Sequence, residues 1–376
     1  MPDFFRRSPG GCVSRPADGS VSEVLNRSVT GSLKNIFSPV LLFSGVVALS
    51  LSSAVAAGDN NTSGVSTPEG SPQGLLTSMV KSMESLNYIG EFVHVMGSKV
   101  EAMRIVHSMN EGGEYERLTS LNGDARVILR NDEKLINVWP GSNNISVGSA
   151  QDRQSLPRID AGVLQSEFYK STHEGFDRVA SRDAHIISIR SVDDFRYGYR
   201  FWIDSESKML LRMMLVDGND KPMEQFMFTS IEYPDEVDLS VFAPITSDAA
   251  IAKTNAANAQ EASDEKVDEP VAGKEPTVLF DSLPGGYSKV AESYDSMPLG
   301  KQPMSHVTIS DGMASVSVYV EYTMDSSVDS SAEGLSTMGA VNAFTKMVDE
   351  AMVTVVGEVP AAVVETISNA VRLENN

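Results

Sequence analysis

Between His185 and Glu232 four apolar, aromatic-rich segments follow one another at short intervals, and this spacing constrains the fold more than any other feature. His185–Ser191, Tyr197–Ile203, Met209–Val216 and Met223–Glu232 have strand length and strand composition. The intervals are Asp193-Asp194, Asp204-Ser205-Glu206-Ser207 and Asp217-Gly218-Asn219-Asp220, residues that favour turns. Connections this short join antiparallel neighbours, because a parallel pair needs a crossover of about a dozen residues or more. The pattern recurs upstream. Ile89–Val95 and Val100–His107 meet at Gly97-Ser98, and Tyr115–Leu121 and Ala125–Leu129 meet at Asn122-Gly123-Asp124, where Asn-Gly tolerates positive φ. Leu135–Trp139 closes on Pro140-Gly141. Leu75, Leu76, Met79, Met83 and Leu86 recur at helical spacing and predict a helix ending near Asn87, and a short helical stretch is expected between Ala161 and Lys170. The first domain is therefore expected to be a long antiparallel meander with a helix or two, within an α+β chain.

The meander is expected to occupy residues 74–245. Lys253–Pro276 is rich in Ala, Asn, Glu, Asp and Lys and has no apolar set large enough to bury, so 246–276 reads as an acidic linker. A smaller domain, 277–376, is expected to follow. Its predicted strands are Val278–Phe280, Met304–Ser310, Met313–Tyr322 and Ala351–Val356, the middle pair turning at Asp311-Gly312. A Ser-rich insertion spans Asp325–Ser336, and a helix is predicted over Ala361–Leu373.

The N-terminus reads as a signal peptide over residues 1–56. Arg6, Arg7, Arg15, Arg27 and Lys34 precede an apolar run from Ile36 to Leu51, and Ala54-Val55-Ala56 offers a small-residue cleavage pattern. That run falls short of the ~20 residues a spanning helix needs. Residues 57–73, rich in Gly, Ser, Asn, Thr and Pro, read as a flexible segment. The single cysteine, Cys12, falls in the leader, so the exported chain would have neither disulfide nor thiolate ligand and would rest on its apolar cores. The net charge is −21 while the leader is net positive, so the exported part is more acidic still. It has no basic footprint for nucleic acid. Export and the lack of cysteine both suit the periplasm.

Catalytic signatures are missing: there is no G-x-S-x-G, H-E-x-x-H, P-loop or G-x-G-x-x-G. The five histidines, His94, His107, His173, His185 and His306, show no metal-ligand spacing. His94 and His107 read as histidines on neighbouring strands, with a zinc pair as the alternative. No enzyme activity, cofactor or metal is expected. Methionine is what stands out, with eighteen in the chain and Met209, Met213, Met214, Met223 and Met227 in two consecutive strands. Methionine is flexible and polarizable and suits adaptable apolar surfaces. A curved sheet facing inward with Met and aromatics could enclose an acyl chain or a partner's apolar segment, or be ordinary core. The candidate lining residues are Phe92, Met103, Trp139, Phe201, Trp202, Met213, Phe226 and Phe228. Arg104, Arg126 and Arg200 are candidates for a lipid head group.

Several segments carry a family resemblance. Ser85-Leu86-Asn87-Tyr88, Gly90-Glu91-Phe92, Tyr199-Arg200-Phe201-Trp202-Ile203-Asp204, Leu210-Leu211-Arg212 and Met223-Glu224-Gln225-Phe226 resemble the MucB/RseB family. So do Asp281-Ser282-Leu283-Pro284-Gly285-Gly286-Tyr287 and Val356-Gly357-Glu358-Val359-Pro360. Order and spacing agree over roughly residues 74 to 373. The resemblance implies an N-terminal half-open antiparallel β-barrel with helices, like the lipoprotein carriers, and a smaller C-terminal α/β domain. It also implies a periplasmic negative regulator of an envelope-stress sigma factor. Such a regulator binds the periplasmic domain of a membrane-embedded anti-sigma factor, shields it from proteolysis, and releases it on sensing lipid or lipopolysaccharide. A periplasmic lipid or lipoprotein carrier is the alternative, and self-association into a homo-oligomer is left open. The acidic linker and the Ser-rich insertion depart from the family pattern.

Overall fold

The computed structural model describes residues 70–132, 134–141, 144–149, 166–243, 276–296, 303–322 and 333–375. The expected signal peptide, the flexible N-terminal segment up to residue 69 and the linker up to residue 275 lie outside these residues, as do positions 325–332 of the Ser-rich insertion; Pro72 and Gln73, expected in the flexible segment, instead open the first helix.

Helix α1, Pro72–Ser85, starts where the side chain of Ser71 accepts from Gly74 N at 3.1 Å, with Pro72 in the first turn. Eleven strands follow: β1 Tyr88–Met96, β2 Lys99–Asn110, β3 Gly113–Ser120, β4 Val127–Asn131, β5 Lys134–Trp139, β6 Asn144–Ser149, β7 Tyr169–Val179, β8 Arg182–Ser191, β9 Gly198–Asp204, β10 Leu210–Val216 and β11 Pro222–Glu232. They form one sheet in the order β6-β5-β4-β3-β2-β1-β11-β10-β9-β8-β7. The β1–β11 pairing joins the two runs β1–β6 and β7–β11 into one sheet, and among the described residues β6 and β7 are its edges, so the barrel is half-open. Of the predicted helical stretch Ala161–Lys170, residues 161–165 lie outside those described, and Tyr169 and Lys170 already belong to β7.

Strand alternation sends one set of side chains inward. Phe92 faces Met103 and Phe228, Phe226 faces His94 and Met213, and Met213 faces Phe201. The apolar side of α1, formed by Leu75, Leu76, Met79 and Met83, joins these residues in one buried cluster. The phenylalanines meet edge-on or tilted: Phe226–Phe228 at 5.1 Å and Phe92–Phe226 at 4.8 Å between centroids. Gly90 makes room for them, because a Cβ there would come within 2.7 Å of Phe228 Cε1 and 2.8 Å of Ser230 O.

The smaller C-terminal domain holds β12 Pro276–Phe280, β13 Ser288–Ser296, β14 Pro303–Ser310, β15 Ser315–Tyr322, β16 Gly334–Met338, β17 Val341–Val348, β18 Ala351–Gly357, α2 Ala361–Ala370 and β19 Val371–Asn375. Six of the strands make one sheet, β13-β14-β15-β18-β17-β16, and β12 pairs with β19. The predicted helix Ala361–Leu373 is shorter than expected. Val371 turns extended, and its strand pairs Val371–Asn375 with Phe280–Pro276, a long-range pairing that local periodicity does not reveal. The core is a stack of valines from β15, β18 and α2.

Phe226 is fully buried at the centre of the aromatic stack. Phe226→Ala is expected to lower unfolding stability by about 3–5 kcal/mol, read as a loss in the denaturant midpoint with an unchanged slope.

Candidate functional site

The sequence-derived residues do not all share one surface. Phe92, Met103, Phe201, Met213, Phe226 and Phe228 are buried on the inner face, in the cluster that α1 covers. Trp202 follows Phe201 along β9 and so points to the opposite face. There its Nε1 donates to Asp177 Oδ2 at 2.9 Å, and the Arg212 guanidinium lies 4.2 Å from the ring centroid. Trp139 is half-buried at the end of β5 and stands outside the inner cluster. Trp202 nevertheless belongs to the same buried cluster as the other predicted lining residues, whereas Trp139 does not.

The predicted head-group arginines also separate. Arg104 lies on the outer face, exposed, with Nη1 3.5 Å from Glu91 Oε1. Arg200 shares Trp202's face and its Nε donates to Glu174 Oε2 at 2.6 Å. Arg126 is buried; Glu101 is lowered to about 2 chiefly by its hydrogen bond with His94, against burial, with Lys99 and then the Arg126 charge adding to the lowering. Only Arg126 lies near polar groups of the inner face.

The histidines have structural partners. His94 Nε2 is 2.5 Å from Glu224 Oε1. His107 stacks on Tyr88 at 4.6 Å, with Nδ1 2.8 Å from Leu86 O and Nε2 3.1 Å from Glu114 Oε1, which pins the passage from α1 into β1. The two sit on neighbouring strands but far apart in register, His94 opposite Glu101 and His107 opposite Tyr88. A contact the spacing did not suggest joins His173 and His185, Nε2 to Nδ1 at 3.1 Å, beside Phe176, which is 70% exposed. Among the described residues no group of three or more His, Cys, Asp or Glu could hold a metal ion.

The most elaborate polar site lies between the large sheet and the C-terminal domain. Arg196, in the loop before β9, has a side chain with no exposed surface. Its Nε donates to Asp311 Oδ2 at 2.6 Å, its Nη1 to Asp193 Oδ2 at 2.5 Å, and its Nη2 to Gly285 O. The rings of Phe168, Tyr287 and Tyr169 surround the guanidinium at 4.4, 4.9 and 5.6 Å. Tyr169 Oη also donates to Asp311 Oδ2 at 2.7 Å; burial first, and the Asp311 charge second, push that phenol well up. Gly286 has φ +81°, and a Cβ on it would meet Arg196 Nη2 at 2.6 Å. Nearby, Tyr287 Oη donates to Phe195 O at 3.1 Å, Tyr197 Oη to Ala340 O at 3.2 Å, and Asn342 Nδ2 to Tyr197 Oη at 3.2 Å. Met313 of the β14–β15 turn enters the large-sheet cluster. In the sequence Asp311 is marked only by its turn with Gly312, and no pattern singles out Arg196. The available signal was a single Arg between Phe195 and Tyr197, after two aspartates.

A half-open antiparallel barrel with an α1-covered apolar face, joined to a small sheet domain by a buried polar contact, defines a binding protein of two domains. The MucB/RseB N-terminal domain family matches residues 71–246, and the MucB/RseB C-terminal domain family matches residues 274–372. The chain belongs to the MucB/RseB family, whose named members are regulatory proteins and not enzymes. It is 26% identical over 302 residues to the sigma-E factor regulatory protein RseB of Escherichia coli K12, covering 79% of this chain and 89% of that one. To the sigma factor AlgU regulatory protein MucB of Pseudomonas aeruginosa it is 26% identical over 302 residues, covering 77% and 86%. The fold is shared with MucB crystallised in complex with MucA(peri), at TM-score 0.61 and 21% identity, covering 81% of this chain and 100% of that one. A second complex, Pseudomonas aeruginosa MucA/MucB, gives TM-score 0.62 at 22% identity, covering 81% and 99%.

Arg196→Lys keeps the charge but loses the planar fork and the ring contacts. It is expected to cost about 3–5 kcal/mol, as for a broken buried pair. Hydrogen exchange should rise at residues 166–169, 285–287 and 311–314 while the centre of the large sheet stays protected.

Proposed function

We propose that this protein is a periplasmic negative regulator of an envelope-stress sigma factor, with residues 74–245 and 277–376 as its two domains. It binds the periplasmic part of a membrane-embedded anti-sigma factor and shields that segment from proteolysis. The observation that carries this reading is the match to both MucB/RseB domain families, in order, on one chain. The solved MucB complexes with MucA support the choice of partner. A carrier of lipid alone gives no reason for a second domain fastened to the half-barrel by a buried arginine.

Lipid or lipopolysaccharide is the release signal in this reading. The inner face is closed here, because α1 packs on Phe92, Met213 and their neighbours and Met313 adds a contact from the C-terminal domain. An acyl chain would take the place of Leu76 and Met79 against the phenylalanines and would compete with Met313 for the same cluster. Occupying the face therefore loosens the domain contact. A ligand shifts the equilibrium only by its difference in affinity between the two arrangements, so lipid and partner must weaken each other equally.

Calorimetric titration with the periplasmic segment of the host's anti-sigma factor tests this. Saturable binding is expected, weakened at least about tenfold by saturating lipopolysaccharide, which corresponds to a coupling of about 1.4 kcal/mol. Lipid binding without any binding of the segment at micromolar concentration would favour the carrier instead.

A further inference from the structure

Two of the five histidines lack the kind of partner that holds the others. His94 meets Glu224, His107 meets Leu86 O and Glu114, and His306 Nε2 lies 3.0 Å from Ser317 Oγ with its ring stacked on Tyr319 at 4.6 Å. Among the described residues, His173 and His185 hydrogen-bond only each other, Nε2 to Nδ1 at 3.1 Å. The Phe176 ring completes a triangle, 5.3 Å from the His173 ring and 4.9 Å from that of His185.

The fold builds this pair. His173 stands opposite Ile187 of β8, and His185 is two residues before Ile187, so both side chains project from one face. That face is the inner one, because Ile187 stands opposite Phe201 and both belong to the buried cluster. The bulge at His173/Gly175 shifts the register and sets Phe176 opposite His185. Since β7 is an edge of the sheet among the described residues, the three rings lie at its rim. Both histidines are half-buried there and Phe176 is exposed.

Two neutral imidazoles in contact share one N–H between them, whereas a metal ion accepts the lone pairs of both. Zinc binds imidazole nitrogen at about 2.0–2.1 Å, so two such ligands at the tetrahedral angle stand about 3.3 Å apart. The observed 3.1 Å is within a few tenths of an ångström of that spacing, with the ring planes inclined by 70°. His185 is suited to the role: burial first, His173 second and Lys208 third lower its pKa, so no proton holds its lone pair at neutral pH. The Lys208 charge also works against a cation. The nearby carboxylates of Glu174 and Asp177 are engaged by Arg200 and Trp202. The pair therefore supplies two ligands and water the rest, which makes an exchangeable site.

We propose that His173 and His185 chelate a divalent transition-metal cation of the zinc class and so staple edge strand β7 to β8. Imidazole suits zinc, copper and nickel, while magnesium and calcium take oxygen ligands. The ion would span the bulge where the ladder is interrupted, and it would stiffen the rim of the inner face.

The test is a calorimetric titration of zinc chloride into the full chain carrying Cys12→Ser and no affinity tag. Saturable zinc binding is expected, with no heat from magnesium. His173→Gln and His185→Gln each remove one of the two ligands and should weaken binding by more than the roughly 10–100-fold that loss of an outer-shell partner costs. His306→Gln should leave it unchanged. An ion held only by the folded chain stabilises it, so zinc should raise the melting temperature of wild type and slow hydrogen exchange over residues 172–187, but do neither in the two variants. The site is overturned if wild type does not bind zinc, if both variants bind it as wild type does, or if the slowed exchange falls elsewhere in the chain. The wild-type exchange map needs no substitution at the site, so it decides the matter even if a variant folds poorly. Neither the anti-sigma segment nor lipid enters the measurement, so its failure would leave the regulatory reading standing.

Discussion

Arg196 is the interaction on which the two-domain arrangement rests. A guanidinium with no exposed surface is costly unless its donors are met, and here two carboxylates and a carbonyl meet them while three rings enclose its faces. The ligands come from three places: the loop before β9, the Gly285-Gly286-Tyr287 turn and the Asp311 turn. None is near another in sequence, so the site exists only when the domains are together. Once formed it also fixes what surrounds it. Asp311 orders the turn that carries Met313, by accepting from Met313 N and Ala314 N at 3.0 and 2.9 Å, and Met313 reaches the apolar cluster beneath α1. A polar contact between the domains is thereby tied to the packing of the inner face.

The large sheet separates its functions by face. Inward it presents phenylalanine and methionine; outward, on the same strands, it presents a polar ladder in which Glu174 meets Arg200, Asp177 meets Trp202, and Arg212 meets Gln225 at 3.0 Å. The ladder satisfies Trp202 Nε1 and the Arg212 guanidinium beside it, while the Trp202 ring stays part of the buried apolar cluster.

This explains what could be read in the residues and what could not. The hairpin at Asn122-Gly123, the strands flanking Asp217–Asp220 and the Asp311-Gly312 turn are local, each specified by a few neighbouring side chains, and their strands form with ends displaced by only a few residues. The phenylalanines of β11 and their partners on β1 and β10 could be placed for the same reason, since composition and a period of two mark a buried face. Face assignment at Phe201-Trp202 failed because two adjacent aromatics satisfy either phase of the alternation. Strands β7 and β19 stayed hidden because each is polar or interrupted and is held by its partner: β7 by β8 across a bulge at His173/Gly175, β19 by β12 nearly a hundred residues earlier. The domain contact was least legible. Arg196 is an ordinary charged residue until distant segments bury it. The segment Gly285-Gly286-Tyr287 nevertheless carried part of the family resemblance, and it contributes residues to that contact.

Around Arg196 the charges are opposite, and the guanidinium stays protonated at any pH a cell meets, so only displacement of its ligands can weaken the contact. Met313 connects that contact to the apolar interior: Asp311 holds the turn from which Met313 projects, and Met313 is part of the buried cluster beneath α1. Charge at Arg196 and packing at Met313 are thus two parts of one contact. Displacing Met313 from the inner face removes the packing that supports the Asp311 turn, and the arginine loses its partner without any change in its own charge.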